Sequence, residues 1–339
     1  MSRKGKKRIL IPMLSMVLLV MSLLSGCKGK TQIVLTTPLS ENELFRIGDE
    51  VCTVEEAKIF LTTTQNQYEQ LIQPDMWDKD FGGMSLEEYV KETILGQLTQ
   101  IKSMALMAVE REITLDESET KAIAVAAKEY YQSLTAEELS YLGITLEQVQ
   151  NLYTQYALSE KLYEELTADV DTEVSDDEAR SITVQQIYIP KTNENAKAQA
   201  EEAHEKAIAE DADFEAIALA YNVDGETEAS YRKGAAEAAL ETVVFSLDIN
   251  EISHVVEGES GYYIVKCISS FNREETDANK AEIIAQRKAE AFDVVYQEFI
   301  QQQPSQFNDE LWKKLELQSD GAVSTSNFFD VYNQFMDVE

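Results

Sequence analysis

Residues Val244 to Ile268 read VFSLDINEISHVVEGESGYYIVKCI, and this run decides the fold of the middle of the chain. It reads as a helix end, a turn, one strand, a turn bounded by Gly258 and Gly261, and a second strand. Ile252, Val255 and Val256 supply the first apolar group. Tyr262, Ile264 and Ile268 are expected on one face of the second strand and Tyr263, Val265 and Cys267 on the other, because successive strand side chains alternate. Upstream, Ser181 to Ile189 (SITVQQIYI) is rich in β-branched residues. It is stopped by Pro190, which has no N–H to give to a sheet ladder, so it predicts another strand. An Ala-rich helix is expected from Asn193 to Glu210. A second opens at Asp213, whose carboxylate can accept from free first-turn amides.

This order of elements resembles the parvulin-type peptidyl-prolyl isomerase domain. The resemblance is carried by Gln186-Ile187-Tyr188-Ile189 as first strand and by Asp213-Phe214-Glu215-Ala216-Ile217-Ala218, with Tyr221, as second helix. Phe245-Ser246-Leu247 with Asn250-Glu251-Ile252-Ser253, and Gly261-Tyr262-Tyr263-Ile264-Val265-Lys266 as last strand, complete it. The chain as a whole resembles extracytoplasmic foldases of the PrsA and SurA type. The implied fold class is α+β: a mostly helical chaperone domain with an inserted parvulin-like domain, a small antiparallel sheet flanked by helices.

At 339 residues the chain is long enough for two compact units. Its formal net charge is −33, and removing residues 1–26, which hold five basic residues (Arg3, Lys4, Lys6, Lys7, Arg8) and no acidic ones, takes it to −38. A surface this acidic repels nucleic acid and favours solubility. The basic start precedes Ile9 to Leu24, an apolar run of 16 residues containing Pro12 and too short to span a bilayer comfortably. It ends in Leu24-Ser25-Gly26-Cys27, which resembles a bacterial lipobox. That resemblance implies cleavage before Cys27 and a lipid on its thiol, hence an extracytoplasmic protein anchored to the cell membrane. Cys52 and Cys267 do not make a disulfide framework, and Cys267 is read as a small buried hydrophobe. No histidine lies beside either, so neither is read as a catalytic thiol.

From Lys28 to Asn42 the polar, Thr- and Ser-containing sequence reads as a tether. Leu44 to Glu56 then reads as a short strand, a tight turn and a helix start, with Thr53 and Glu56 at capping-box spacing. Ser85/Glu88, Thr135/Glu138, Thr145/Gln148 and Ser175/Glu178 repeat that signal, each ahead of an amphipathic run. In the longest helix, Ser85 to Glu112, Tyr89, Ile94, Leu98, Ile101, Ala105 and Ala108 fall near one stripe. Met76, Met84, Met104 and Met107 read as core filling, with an adaptable surface for unfolded chains as the second reading. Glu274 to Gln303 is one more long helix, stopped by Pro304. The resemblance implies that it returns to pack on the N-terminal helices. The resulting division is a signal peptide (1–26), a tether (27–42), an N-terminal helical domain (43–175), a parvulin-like domain (176–272), a returning helix (273–317) and a tail (318–339). Whether the aromatic end of that tail, Phe328, Phe329, Tyr332, Phe335 and Met336, docks or frays is left open.

Isomerising an X-Pro bond means lowering a barrier of roughly 20 kcal/mol that arises from amide resonance. That needs an apolar pocket for the ring and a polar, partly desolvated network that favours the twisted amide; no nucleophile, metal or cofactor is required. The resemblance implies one histidine on the first strand, another on the last, and an acid or cysteine in the loop after the second helix. Here those positions carry Gln186, Tyr263 and Asp224. The pocket positions fall on Ala236 and Leu240, with Tyr231 beside them as a further substrate-binding candidate. Gln and Tyr both donate and accept hydrogen bonds, so Gln186, Tyr263 and Asp224 can form a substitute network. Alternatively the domain keeps the fold and has lost catalysis. His204 lies in a charged helical run and His254 on a strand edge, too far apart in sequence for a zinc pair.

The leading expectation is a membrane-anchored foldase or holdase for newly secreted, unfolded polypeptides, with a weak or inactive parvulin-like domain. An active isomerase with a rebuilt site and a non-enzymatic envelope adaptor are the alternatives. A homodimer is left open. Hydrolase and transferase signatures are missing: there is no P-loop and no Gly-x-Ser-x-Gly.

Overall fold

The computed structural model describes residues 38–72, 76–80, 82–223, 225–317 and 323–336. The signal sequence, Cys27 and Asp224 lie outside the described residues. In chain order the elements are β1 (Glu43–Ile47), β2 (Glu50–Thr53), α1 (Val54–Glu69), α2 (Leu86–Glu110), α3 (Glu117–Ser133), α4 (Ala136–Leu142) and α5 (Leu146–Leu166). There follow β3 (Ser181–Pro190), α6 (Ala196–Ala207), α7 (Phe214–Tyr221), β4 (Glu228–Arg232), α8 (Ala238–Val244), β5 (Val256–Glu257) and β6 (Gly261–Ser269). Last come α9 (Arg273–Ile300), β7 (Ser305–Phe307), α10 (Asp309–Lys313) and α11 (Phe328–Met336). The described residues divide into two units: one runs to Ala168 and resumes at Ala291, the other spans Asp169–Glu290.

The first unit is helical around a small sheet of order β2-β1-β7, in which β1 pairs antiparallel with both neighbours. The capping boxes fix where its helices start. Thr53 Oγ1 accepts from the Glu56 N–H at 3.4 Å while Glu56 Oε2 accepts from the Thr53 N–H at 2.9 Å. Ser85/Glu88, Thr135/Glu138 and Thr145/Gln148 do the same for α2, α4 and α5. A fifth box, Asp116/Glu119, opens α3 with an aspartate in place of the hydroxyl. Ser175/Glu178 is different: the Ser175 hydroxyl accepts from the Glu178 N–H, but only a turn follows, because Ser181 begins a strand three residues later. On α2, Ile94, Leu98, Ile101, Ala105 and Ala108 are all buried. Met104 and Met107 fill a second apolar cluster with Leu162, Phe292 and Tyr296, whereas Met76 is 40% exposed. The aromatic tail docks: Phe328 and Tyr332 of α11 are each 1% exposed in the main core, among Phe60, Tyr130 and Tyr153.

The second unit is built on an antiparallel sheet of order β4-β3-β6-β5. Alternation sends Ile187, Ile189 and Ile264 to one face, against Ala200, Ala203, Phe214 and Ala218 of α6 and α7. Ile182, Val184, Val265 and Cys267 face the other way, against Leu240 and Val244 of α8. Two expectations need correction, and two strands were not foreseen. The strand foreseen from Ile252 is only Val256–Glu257 plus an isolated bridge between Ile252 and Lys266. Between these, the Ser253 hydroxyl takes the Val265 N–H at 3.0 Å, the place of a ladder carbonyl, and regular pairing stops. Ile268 does not join the buried face of Ile264 and is 36% exposed. Finally, β4 and β7 had no strand signal: they are short edge strands whose partners, not their own patterning, hold them extended.

Candidate functional site

The face of the sheet beneath α8 carries the expected polar residues. Gln186 sits in the middle of β3, opposite Val265 of β6, and Tyr188 stands opposite Tyr263. Tyr231 of β4 pairs directly with Ile182, and its long ring leans along the sheet so that its hydroxyl donates to Gln186 Oε1 at 2.5 Å. Tyr263 and Tyr188 pack ring to ring, with centroids 4.9 Å apart. The Tyr263 hydroxyl lies 3.3 Å from the Ser260 hydroxyl, and the Tyr188 hydroxyl donates to the Ser260 carbonyl at 3.3 Å.

Two glycines let this aromatic pair form. A Cβ on Gly261 would stand 2.3 Å from the Tyr188 ring and 2.6 Å from the Ile189 carbonyl oxygen. One on Gly258 would stand 2.4 Å from the Glu237 carboxylate and 2.7 Å from the Tyr263 ring. Glu237 Oε2 accepts from the Glu259 N–H at 2.6 Å, so the residue before α8 is tied to the β5–β6 turn. Burial pushes the Tyr231 phenol up to about 12, helped by the nearby Tyr263 and Glu237. Burial also raises Tyr263, partly offset by its contact with Ser260. Both phenols therefore stay protonated and able to donate at neutral pH.

The structure joins Gln186 to Tyr231 directly and places Tyr263 on the same face. Ala236 lies half-buried in the turn before α8. Leu240 is 3% exposed and packs among Ile182, Val184, Val244 and Val265. His204 lies on α6 and His254 is exposed beside the Ile252 bridge; neither stands with these groups. Among the described residues no cluster of His, Cys, Asp or Glu is placed to hold a metal ion. Among the described residues the face offers hydrogen-bond donors and acceptors beside apolar side chains, with the Cys267 thiol buried in the core beneath them.

Sequence reasoning missed Asn222, the residue that ties down the loop after α7. Its Oδ1 accepts from the Tyr188 N–H at 2.8 Å, and its Nδ2 donates to the carbonyls of Gln186 at 2.9 Å and Glu226 at 2.5 Å. It thus fixes the backbone on both sides of Ile187 and the start of the loop that leads into β4. An Asn directly after a helix end was the signal available, since its side chain copies both backbone groups.

Compared with known families, residues 182–269 match the rotamase (PPIC-type PPIASE) domain. Over 241 residues, 65% of this chain and 73% of the relative, the sequence is 27% identical to a foldase protein PrsA from Caldanaerobacter subterraneus subsp. tengcongensis. It is 26% identical over 273 residues, 69% of this chain and 77% of the relative, to a foldase protein PrsA from Clostridium acetobutylicum. The chain is thus similar to foldase proteins of the PrsA type, and it carries a rotamase region. Among solved structures, a PrsA peptidylprolyl isomerase from Bacillus cereus is similar at 17% identity and a TM-score of 0.37, covering 75% of this chain and 97% of that one. A SurA-like chaperone structure from Campylobacter jejuni is similar at 13% identity and a TM-score of 0.28, covering 79% and 99%. Within the matched region, β3, β6 and α8 carry Gln186, Tyr263 and Leu240 respectively.

Proposed function

We propose that this PrsA-type foldase is lipid-anchored at Cys27 outside the cell membrane, shelters newly secreted polypeptides, and carries a rotamase domain of weak or no turnover. The observation that carries the last point is the Tyr231–Gln186 hydrogen bond. The acceptor oxygen of Gln186 is already occupied by a phenol whose proton does not leave at neutral pH. A proline-containing peptide arriving on this face meets Tyr263 as donor, but no imidazole that can take up and return a proton. With Leu240 packed into the core, the remaining apolar contact for a proline ring is small.

The gathering of Gln186, Tyr231 and Tyr263 on one sheet face favours a second reading, a rebuilt isomerase site, completed by Asp224. A protease-coupled isomerisation assay over a panel of X-Pro peptides separates the two, with Asp224→Ala and Tyr263→Phe as controls. The first reading expects no rate above background on any peptide, alongside suppression of aggregation of several unrelated unfolded proteins. A rate that falls in both controls establishes the second. Anchoring is tested apart from both: radioactive fatty acid labels the parent, and equal labelling of Cys27→Ala overturns the lipid assignment.

A further inference from the structure

In the helical unit, residues 323–327 run extended into α11, and side chains of α1 and α4 hold the main chain of Val323 to Ser326. Asn66 Nδ2 donates to the carbonyls of Val323 at 3.1 Å and Thr325 at 2.7 Å. Gln67 Nε2 donates to the Ser326 carbonyl at 3.1 Å. Glu138 Oε1 accepts from the N–H groups of Ser324 at 3.0 Å and Thr325 at 2.9 Å. Carbonyls two residues apart lie on one side of an extended chain, so one amide reaches two of them. All five of these bonds address backbone atoms, which every sequence offers.

Beyond this clasp lies an aromatic socket. Phe328 sits with its ring centroid 4.6 Å from Tyr153, 5.1 Å from Tyr130 and 5.6 Å from Phe60, and Tyr153 donates its hydroxyl to the Phe328 carbonyl at 2.7 Å. One helical turn on, Tyr332 packs on Tyr153 and Tyr156 and donates to Glu160 at 2.6 Å. The Tyr130 hydroxyl lies beside Thr325, so the socket also reaches back to the extended stretch.

We infer that this groove, clasp and socket together, is a peptide-binding site filled in cis by residues 323–336. In trans it takes an unfolded polypeptide segment of the same chemistry, a short extended stretch followed by a helical turn with aromatic residues four apart. Main-chain recognition followed by one aromatic anchor gives affinity without demanding a sequence. The identity of the partner as an unfolded chain rests on the foldase reading; the groove itself does not.

The test uses a fluorescent peptide of residues 323–336 and the full protein. Loosening the resident segment by Phe328→Ala leaves the groove intact and is expected to tighten peptide binding at least tenfold over the parent. Adding Asn66→Ala to that variant is expected to weaken it at least fivefold, and a peptide carrying Ala for Phe328 is expected not to bind. If Phe328→Ala does not fold, Tyr332→Phe, which removes one hydroxyl contact, serves in its place. A folded, loosened variant that binds no tighter than the parent, or binding indifferent to Asn66→Ala, overturns the inference. Aggregation assays on the same proteins keep the two claims apart: peptide binding without any suppression of aggregation would count against the foldase reading alone.

Discussion

The Tyr231 hydroxyl donates to the Gln186 side-chain oxygen at 2.5 Å, joining an edge strand to the central strand of the rotamase sheet on the face covered by α8. The bond is partly buried and links residues 45 apart in sequence. It secures β4, an edge strand with little patterning of its own.

Tyr231→Phe removes this bond and keeps the ring. The cost is about 1 kcal/mol at pH 7, the usual net value of one hydrogen bond. The phenol's folded pKa is raised from 10 to about 12, so its contribution is fully present below pH 10 and is lost as pH rises through 12. Urea unfolding of parent and variant from pH 7 upward is expected to show a constant gap to about pH 10 that then closes. A gap that widens with pH would mean the phenol is held as its anion.

Asn222→Ala strips the β3 backbone of two partners and the Glu226 carbonyl of a third. Orphaned, partly buried backbone groups of β3 cost somewhat more than the mean hydrogen bond, so a loss of about 1–3 kcal/mol is expected for the rotamase unit. Hydrogen exchange reads it locally. The Tyr188 amide, whose partner is the Asn222 side chain, should lose protection by a larger factor than the Ile264 amide in the same sheet.

The parts of this architecture legible in the sequence were those written in local chemistry. Four capping boxes placed helix starts to the residue, because a hydroxyl and a carboxylate or amide oxygen sit three apart on the chain itself. β3 and β6 were legible because alternation of β-branched and aromatic residues is a period-two signal. Gln186, Tyr231 and Tyr263 were named, but the 2.5 Å bond between the first two was not. It depends on the register that sets Ile182 against Tyr231, and register is a property of the assembled sheet. β4 and β7 escaped for the same reason. The docking of α11 could not be read because its partners, Phe60, Tyr130 and Tyr153, come from three separate helices.

Gly261→Ala probes how tightly the Tyr188–Tyr263 pair is built. The new methyl would stand 2.6 Å from the Ile189 carbonyl oxygen, a backbone atom in β3, as well as 2.3 Å from the Tyr188 ring. The ring can swing away, but the carbonyl moves only with the strand. A loss of about 2–3 kcal/mol is expected, in the range of overpacking in a dense site, together with altered tyrosine near-ultraviolet dichroism as the two rings part. An unchanged melting temperature would show that this end of the β3–β6 ladder is loose.

In the helical unit, Lys102, 1% exposed, donates to Glu56 at 2.7 Å and Gln155 at 2.8 Å, and Gln155 Nε2 donates to Glu50 at 2.6 Å. One lysine thus serves two carboxylates, one of them through an amide. Burial raises the Glu50 carboxyl above its ordinary 4.5, with Glu56 and Asp49 adding repulsion that Lys102 only partly offsets. For an acid raised on folding, the folded state holds the proton more tightly than the unfolded chain. Glu50 therefore favours folding below pH 4.5 and penalises it progressively as pH rises through the raised value. Glu50→Gln keeps an oxygen for the Gln155 amide and removes the charge. The melting temperature of the variant is expected to exceed the parent's at pH 7, with the advantage shrinking as pH falls toward 4. Lys102→Met should do the opposite, costing about 3–5 kcal/mol at pH 7 by leaving Glu56 buried and uncompensated. If Glu50→Gln instead lowers the melting temperature at pH 7, the carboxylate is a net partner of Lys102, and attraction outweighs burial at this site.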